Sequence, residues 1–237
     1  MRHFVEKLHQ AELLIDTGAD TTVISSQFLA VADQSSRWLD ELCLGDYCLA
    51  REAVFAWETP FSSMVAGAPQ GFVGMSTLAH LSVSFAFGKQ LTIGDDGEGC
   101  SGHSVALTLS EVGTPLAAIR LDGSDFGDMT IDTGATRSVL AQATVDRLGG
   151  YLKDQAVPTS SCTVLGCSDN SAYLGRVQEL CVGDVCARDV EVKFPAWNAV
   201  GANWLAGHNV RFDFQHVVAI NLHQHTSHWK NRSASAI

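Results

Sequence analysis

The tripeptide Asp-Thr-Gly occurs twice in this sequence, as residues 16–18 and 132–134. Each copy follows a short apolar stretch and precedes a second one, so each is predicted to lie in a tight turn between two strands. An aspartate at the end of a buried strand is costly unless its carboxylate is hydrogen-bonded or functional. The two sites therefore predict a pair of carboxylates, Asp16 and Asp132, that are brought together to share one proton.

Composition limits the classes of protein to consider. The chain has 237 residues, of which 46% are hydrophobic, enough for one large or two small compact domains. Its net charge of -11 disfavours nucleic acid and anionic membrane surfaces as partners. No apolar run approaches the ~20 residues that a membrane-spanning helix needs. The first residues do not have the apolar segment of a signal peptide, so we expect either synthesis without one or its earlier removal.

The seven cysteines predict local disulfides. Two pairs flank a Gly-Asp dipeptide, which is typical of a two-residue hairpin turn with glycine first. The cysteines would then face each other across the hairpin, with Cα atoms ~4.5–5.5 Å apart, within disulfide range. A third pair has the same separation, and Cys100 is left over. The candidate pairs are Cys43 and Cys48, Cys162 and Cys167, and Cys181 and Cys186.

These cysteines also have other interpretations. Free thiols in a reducing compartment are the alternative to disulfides, whereas oxidised pairs favour a periplasmic or secreted protein. Zinc is less favoured, because cysteines separated by four residues in a hairpin lack the usual ligand spacing. We expect no metal and no cofactor.

Four blocks of sequence recur in the same order, which indicates an internal duplication. They are the Asp-Thr-Gly turns, the Cys-x4-Cys hairpins, the segments 72–74 and 199–201, and the segments 83–87 and 210–214. The second copy has 22 extra residues before its cysteine hairpin. The predicted organisation is a first unit over residues 1–93, a Gly-rich linker over 94–104, a second unit over 105–223, and a polar tail over 224–237.

Residues 14–23 resemble the active-site segment of retroviral proteases, and the pairs 73–74 and 200–201 resemble the second signature of the pepsin and retropepsin clan. The resemblance implies an all-β, bilobal acid-protease-like fold: two pseudo-symmetric β-rich lobes with the active site between them. Retroviral enzymes use two identical chains, whereas pepsin-like enzymes carry both lobes in one. This chain resembles two retropepsin-sized lobes joined covalently, and we expect a monomer.

The resemblance also implies the chemistry. In aspartic proteases, two adjacent carboxylates cannot both ionise, so a shared proton lets the pair act as base and acid on water and the peptide bond. Asp16 and Asp132 are the implied catalytic pair. The residues that follow them are implied to support the loops, with glycines that admit the carboxylates and hydroxyls that bond across the lobe interface: Thr17, Gly18, Thr133 and Gly134.

Substrate binding is inferred from the same resemblance. The 22 extra residues leave room for a β-hairpin flap at about 160–175 in the second unit, with Gly166 and Gly175 as flexible points, whereas the first unit has no room for a flap. The substrate is expected to be an extended peptide with hydrophobic side chains beside the scissile bond. The residues implied to contact it are Val23, Val73, Val139, Leu165, Gly166, Tyr173 and Val200.

Two further expectations complete the interpretation. Ala19 and Ala135 follow the turns where pepsin-like enzymes often have a hydroxyl residue, so we predict an activity optimum less acidic than that of pepsin. A peptide-binding module that keeps the fold without activity is the alternative function.

Overall fold

The computed structural model describes residues 11–31, 38–57, 69–86, 90–94, 102–163, 166–214 and 219–224. Within these ranges the chain is mostly β-strand with short helices, so the all-β prediction is confirmed. Some positions lie outside the described residues, among them residues 1–10, residues 58–68 before the second signature of the first unit, Cys100, Leu165 and the tail beyond 224. No helix of the described ranges is long and apolar enough to cross a membrane.

Among the described residues, the first half of the chain contributes eight strands and two short helices. The strands are β1 (Leu13–Ile15), β2 (Val23–Ser25), β3 (Trp38–Leu44), β4 (Tyr47–Ala53), β5 (Phe55–Trp57), β6 (Gly71–Val73), β7 (Ser82–Ala86) and β8 (Gln90–Ile93). The helices are α1 (Ser26–Val31) and α2 (Met75–Leu78).

The described part of the second half contributes eleven strands and three helices. The strands are β9 (His103–Ala106), β10 (Thr108–Leu109), β11 (Pro115–Leu121), β12 (Ser124–Ile131), β13 (Ser138–Val139), β14 (Val157–Thr163), β15 (Gly166–Val182), β16 (Val185–Phe194), β17 (Ala199–Val200), β18 (His208–Asp213) and β19 (Ala219–Gln224). The helices are α3 (Gln142–Leu148), α4 (Gly150–Asp154) and α5 (Ala202–Leu205).

One pattern of strand pairing occurs in both halves. In the first, β1 lies parallel to β6, β6 lies antiparallel to β2, and β2 lies parallel to β5. In the second, β12, β17, β13 and β16 pair with the same directions in the same order. Each Asp-Thr-Gly turn connects the first strand of its set, β1 or β12, to the third, β2 or β13. The matched sequence blocks therefore occupy matched places in the two sheets.

Strands from both halves form one five-stranded sheet in the order β8-β7-β18-β19-β9. β7 and β18 pair antiparallel, with Val83 opposite Phe212 and Phe85 opposite Val210. Because Val83 corresponds to Val210 and Phe85 to Phe212 in the sequence repeat, this register is symmetric about the Ser84–Arg211 pair. The rings of Phe85 and Phe212 meet edge to face at 5.8 Å, so the repeat packs against itself at the junction of the halves.

The two cysteine hairpins form as predicted. Disulfides join Cys43 to Cys48 and Cys181 to Cys186, each with Cα atoms 4.0 Å apart, closer than the expected range. Gly45 and Gly183 adopt positive φ angles at the first turn position, where glycine carries no steric penalty. Cys162 and Cys167 lie opposite each other in the register of β14 and β15, but their side chains are outside the described part, so that disulfide stays a prediction.

A long hairpin distinguishes the second half. β14 pairs with β15, and β15 continues far beyond it to pair with β16. Gly175, predicted as a flexible point, lies within β15 opposite Val192, and its flexibility stays a prediction. A Cβ atom there would press on the side chains of Leu152 and Phe194, so glycine at this position permits close packing.

Strand limits differ slightly from the predicted boundaries of the units. β9 begins at His103, within the predicted linker, and β19 ends at Gln224, the first residue of the predicted tail. These two strands pair with each other, so the shared sheet uses residues at both boundaries.

Candidate active site

Two parallel strand pairs hold the aspartate loops. The Asp16 N–H donates to the Val73 carbonyl at 3.0 Å, and the Asp132 N–H donates to the Val200 carbonyl at 3.0 Å. A second matched pair of hydrogen bonds joins each turn to the residue after the second signature. The Met75 N–H donates to the Ala19 carbonyl, and the Ala202 N–H donates to the Ala135 carbonyl, each at 2.8 Å. Each loop is therefore fixed on both sides of its aspartate.

The threonines of the two turns join the halves directly. The Thr17 hydroxyl donates to the Ile131 carbonyl at 2.6 Å, and the Thr133 hydroxyl donates to the Ile15 carbonyl at 2.7 Å. Each hydroxyl oxygen also accepts the backbone N–H of the other threonine at 3.1 Å. Both threonines are buried. This reciprocal arrangement fixes the two loops against each other.

The glycines permit close approach of the carboxyl groups. A Cβ atom on Gly18 would clash with the carboxyl group of Asp132, and one on Gly134 would clash with that of Asp16. Each carboxyl group thus lies against the turn of the other half. Any side chain at either glycine would separate the two aspartates.

Burial and hydrogen bonds act on both carboxyl groups of the pair. Burial raises the pKa of Asp16 from 3.8 to about 7, and the charge of Asp132 and a hydrogen bond with its carboxyl act in the same direction. Backbone N–H groups of Gly18 and Ala19 oppose this increase in pKa. Asp132 is buried, and one of its oxygens accepts the N–H groups of Gly134 and Ala135, both at 2.9 Å. Below neutral pH, the raised pKa of Asp16 therefore keeps a proton on the pair.

A polar network lies behind the Asp16 loop. The Thr22 hydroxyl accepts the Gly74 N–H at 3.1 Å and lies 2.5 Å from the Thr77 hydroxyl. Thr77 in turn donates to the Glu52 carboxylate at 2.6 Å. Both threonines are fully buried. A carboxylate outside the turn thus connects through two hydroxyls to the second signature.

The second half has a shorter version of this network. Ser138 takes the place of Thr22, accepts the Gly201 N–H at 3.1 Å, and bonds to the Asn203 side chain. Trp204 and Val190 stand where the first half has Thr77 and Glu52, so no carboxylate extends the network there. Sequence analysis missed Glu52, because it contacts Thr77 of α2 only in the folded chain, across 25 residues of sequence.

The structure separates the predicted substrate-binding residues into two groups. Four valines are buried, with Val73 and Val200 having no exposed surface: Val23, Val73, Val139 and Val200. Their position favours support of the loops from behind, and contact with substrate stays a prediction. Tyr173 is exposed on β15, and its ring stacks on Phe194 at 5.9 Å. Gly166 begins β15 near the hairpin tip, and Leu165 is outside the described residues.

Potential metal ligands within the described ranges group only around the disulfides. Glu41 lies beside Cys43 and Cys48, and Glu179 lies beside Cys181 and Cys186. The sulfur atoms are bonded to each other in both groups, so they are not thiolate ligands in this structure.

Comparison with known proteins finds similarity to aspartyl proteases over one segment of the chain. Residues 117–199 match a family model described as aspartyl protease. The chain is similar to aspartyl proteases over this segment, which contains the Asp132 turn. A solved retropepsin-like aspartic protease from Rickettsia conorii is 13% identical with a TM-score of 0.40, over 52% of this chain and 91% of that one. No curated protein matches the sequence.

Proposed function

We propose that this chain is an aspartic endopeptidase whose active site is formed by Asp16 and Asp132. The observation that carries the proposal is the reciprocal packing of two Asp-Thr-Gly turns, with each carboxyl group against the glycine of the other turn. The match to the aspartyl protease family supports peptide hydrolysis as the reaction. Because both aspartates belong to one chain, the site needs no second copy, and we propose a monomer built from duplicated units.

The two carboxyls are proposed to share one proton and to take different roles in the first step. The raised pKa of Asp16, about 7, keeps a proton on the pair below neutral pH, and the proposal assigns that proton to Asp16 at the start of the reaction. Asp132 then acts as the base that removes a proton from a water molecule, while Asp16 donates to the substrate carbonyl. The proton taken by Asp132 passes to the amine as the peptide bond breaks. No metal and no covalent intermediate takes part in this sequence.

The substrate is proposed to be an extended peptide with hydrophobic residues beside the scissile bond. The β14–β15 hairpin is long enough to cover a bound peptide, and Tyr173 offers an exposed ring on it. Its role as a flap is part of the proposal.

A catalytically silent peptide-binding module on the same fold is the second candidate. The specific observation in its favour is the difference between the halves, since among the described residues only the second half has a long hairpin in its aspartate sheet. The two candidates differ in whether peptide bonds are broken.

The test is cleavage of a peptide library by the wild-type chain, by Asp16→Asn and by Asp132→Asn, with a statine-type inhibitor. We expect cleavage that the inhibitor blocks and that either substitution reduces by at least ~10³-fold. Asp128→Asn is the matched control, because Asp128 is an exposed aspartate on β12 four residues before Asp132, and it should cleave like wild type. Binding of peptides without inhibitor-sensitive cleavage between pH 3 and 8 would instead establish the binding module.

A further inference from the structure

β5 is an edge strand of the sheet that carries Asp16, as far as the described residues show. The order of this sheet is β1-β6-β2-β5, and within the described ranges no strand pairs with the outer side of β5. Phe55 is 55% exposed there, and its ring lies 6.3 Å from that of Trp57 on the same face of the strand. A large exposed aromatic side chain on an edge strand favours association with another extended segment.

The outward hydrogen-bonding groups of this edge belong to Ala56. The Phe55 N–H donates to the Thr22 carbonyl at 2.8 Å, so Phe55 bonds toward β2. Since bonding direction alternates along a parallel strand, the N–H and C=O of Ala56 point away from β2. They form one donor and one acceptor that an added antiparallel strand would satisfy.

The second half shows what fits such an edge. There β16 takes the place of β5, and β15 covers its outer side as an antiparallel strand. Phe194, the counterpart of Ala56, pairs with Tyr173, and their rings stack at 5.9 Å. Lys193, the counterpart of Phe55, is half-buried under this hairpin and donates to the Ser161 hydroxyl at 3.3 Å. Extended antiparallel chain is therefore the occupant of the equivalent edge in this fold.

The difference between Phe55 and its counterpart Lys193 indicates what kind of segment would fit against β5. Phe55 presents an aromatic ring where the covered edge has a lysine that bonds to serine. The occupant of β5 should therefore place an apolar side chain over Phe55. β5 also adjoins β2, the strand that leads out of the Asp16 turn, so this edge belongs to the sheet that carries Asp16.

We propose that the edge of β5 binds an extended, apolar segment of the peptide substrate as an added antiparallel strand. The occupant replaces, in the first half, the strand that β15 supplies in the second. The inference rests on the proposed function for the identity of the occupant. Binding at the edge of β5 would give the enzyme a preference for long peptide substrates over short ones.

The test uses binding, so that it does not depend on cleavage. The probe is a fluorescein-labelled octapeptide of alternating valine and threonine with lysine at both ends, titrated into the Asp132→Asn chain and followed by anisotropy. We expect saturable binding that Phe55→Ala and Ala56→Pro each weaken at least fivefold. Proline removes the outward N–H and is tolerated at strand edges. A probe that is N-methylated at alternate residues should bind at least fivefold more weakly to the unaltered edge.

Leu109→Ala is the matched control, because Leu109 is 46% exposed on another edge strand, β10. It should leave probe binding unchanged, and circular dichroism should show that every variant is folded. Equal binding by Phe55→Ala, Ala56→Pro and the control would overturn the proposed binding at the edge of β5. So would a concentration-dependent dimer that Phe55→Ala abolishes, since a second copy would then be the occupant. Probe binding without any library cleavage would overturn the proposed enzyme and leave the edge standing.

Discussion

The aspartate pair combines burial with hydrogen bonds that are repeated in both halves. Asp16 has a pKa near 7 because it is buried and lies against a second carboxyl group. In the unfolded chain the same group titrates near 3.8. Between these two pH values, unfolding releases a proton, so the free energy of unfolding falls as pH rises through this window. The buried Asp16 carboxyl group thus lowers the free energy of unfolding near neutral pH, as active-site groups often do.

Replacing Asp16 by asparagine should remove this cost. At pH 8, Asp16→Asn should melt roughly 3–6 °C above wild type, because the buried charge is gone. At pH 3 the two should melt together, because both chains are then neutral at this position. Thermal unfolding followed by differential scanning fluorimetry across this pH range measures the effect.

Asp128→Asn serves as the control, since Asp128 is exposed and should show no pH-dependent gain. If Asp16→Asn melted at or below wild type at pH 8, the raised pKa of Asp16 would be wrong.

Elements were predictable where local residues determine them. The Gly-Asp turns predicted both disulfide hairpins. α3 ends at Leu148, directly before Gly149-Gly150, and glycines at this position are typical of a helix end. The local pattern therefore does not predict α4, which follows at once. Gly149 adopts a φ of 87°, which turns the chain so that a second helix can bury Leu152. That burial depends on Gly175, which is distant in sequence and cannot be read from local pattern.

The network that joins Glu52, Thr77 and Thr22 should stabilise the first half. Thr77→Val keeps the side-chain shape but removes a hydroxyl that is fully buried and bonded to both partners. We expect a loss of ~1–3 kcal/mol in the free energy of unfolding, because the buried Thr22 hydroxyl loses its bond to Thr77 and the Glu52 carboxylate loses a donor. Urea unfolding gives this value. Thr108→Val, at an exposed strand position, should change it by less than ~0.5 kcal/mol, and equal values for both would contradict the network.

At the scale of the whole molecule, the sequence repeat predicted which segments correspond but not how they meet. The match of Val83 and Phe85 with Val210 and Phe212 required only the sequence. Their antiparallel pairing in one sheet depends on contacts across more than a hundred residues, which no local pattern specifies. The sequence predicted that the two halves differ in length between matched blocks. Only the strand pairing shows that this difference leaves β5 at the edge of its sheet within the described ranges.

The central claim is that two distant aspartates form one site that shares a proton. ¹³C NMR of a chain labelled at the aspartate carboxyl carbons tests it without a substrate, with Asp16→Asn used to assign the signal. Asp16 should titrate near pH 7 in the wild type. In Asp132→Asn its pKa should fall toward 3.8 without reaching it, because the charge of Asp132 is lost while burial remains. An Asp16 signal that titrates near 3.8, or that does not move in Asp132→Asn, would contradict the account.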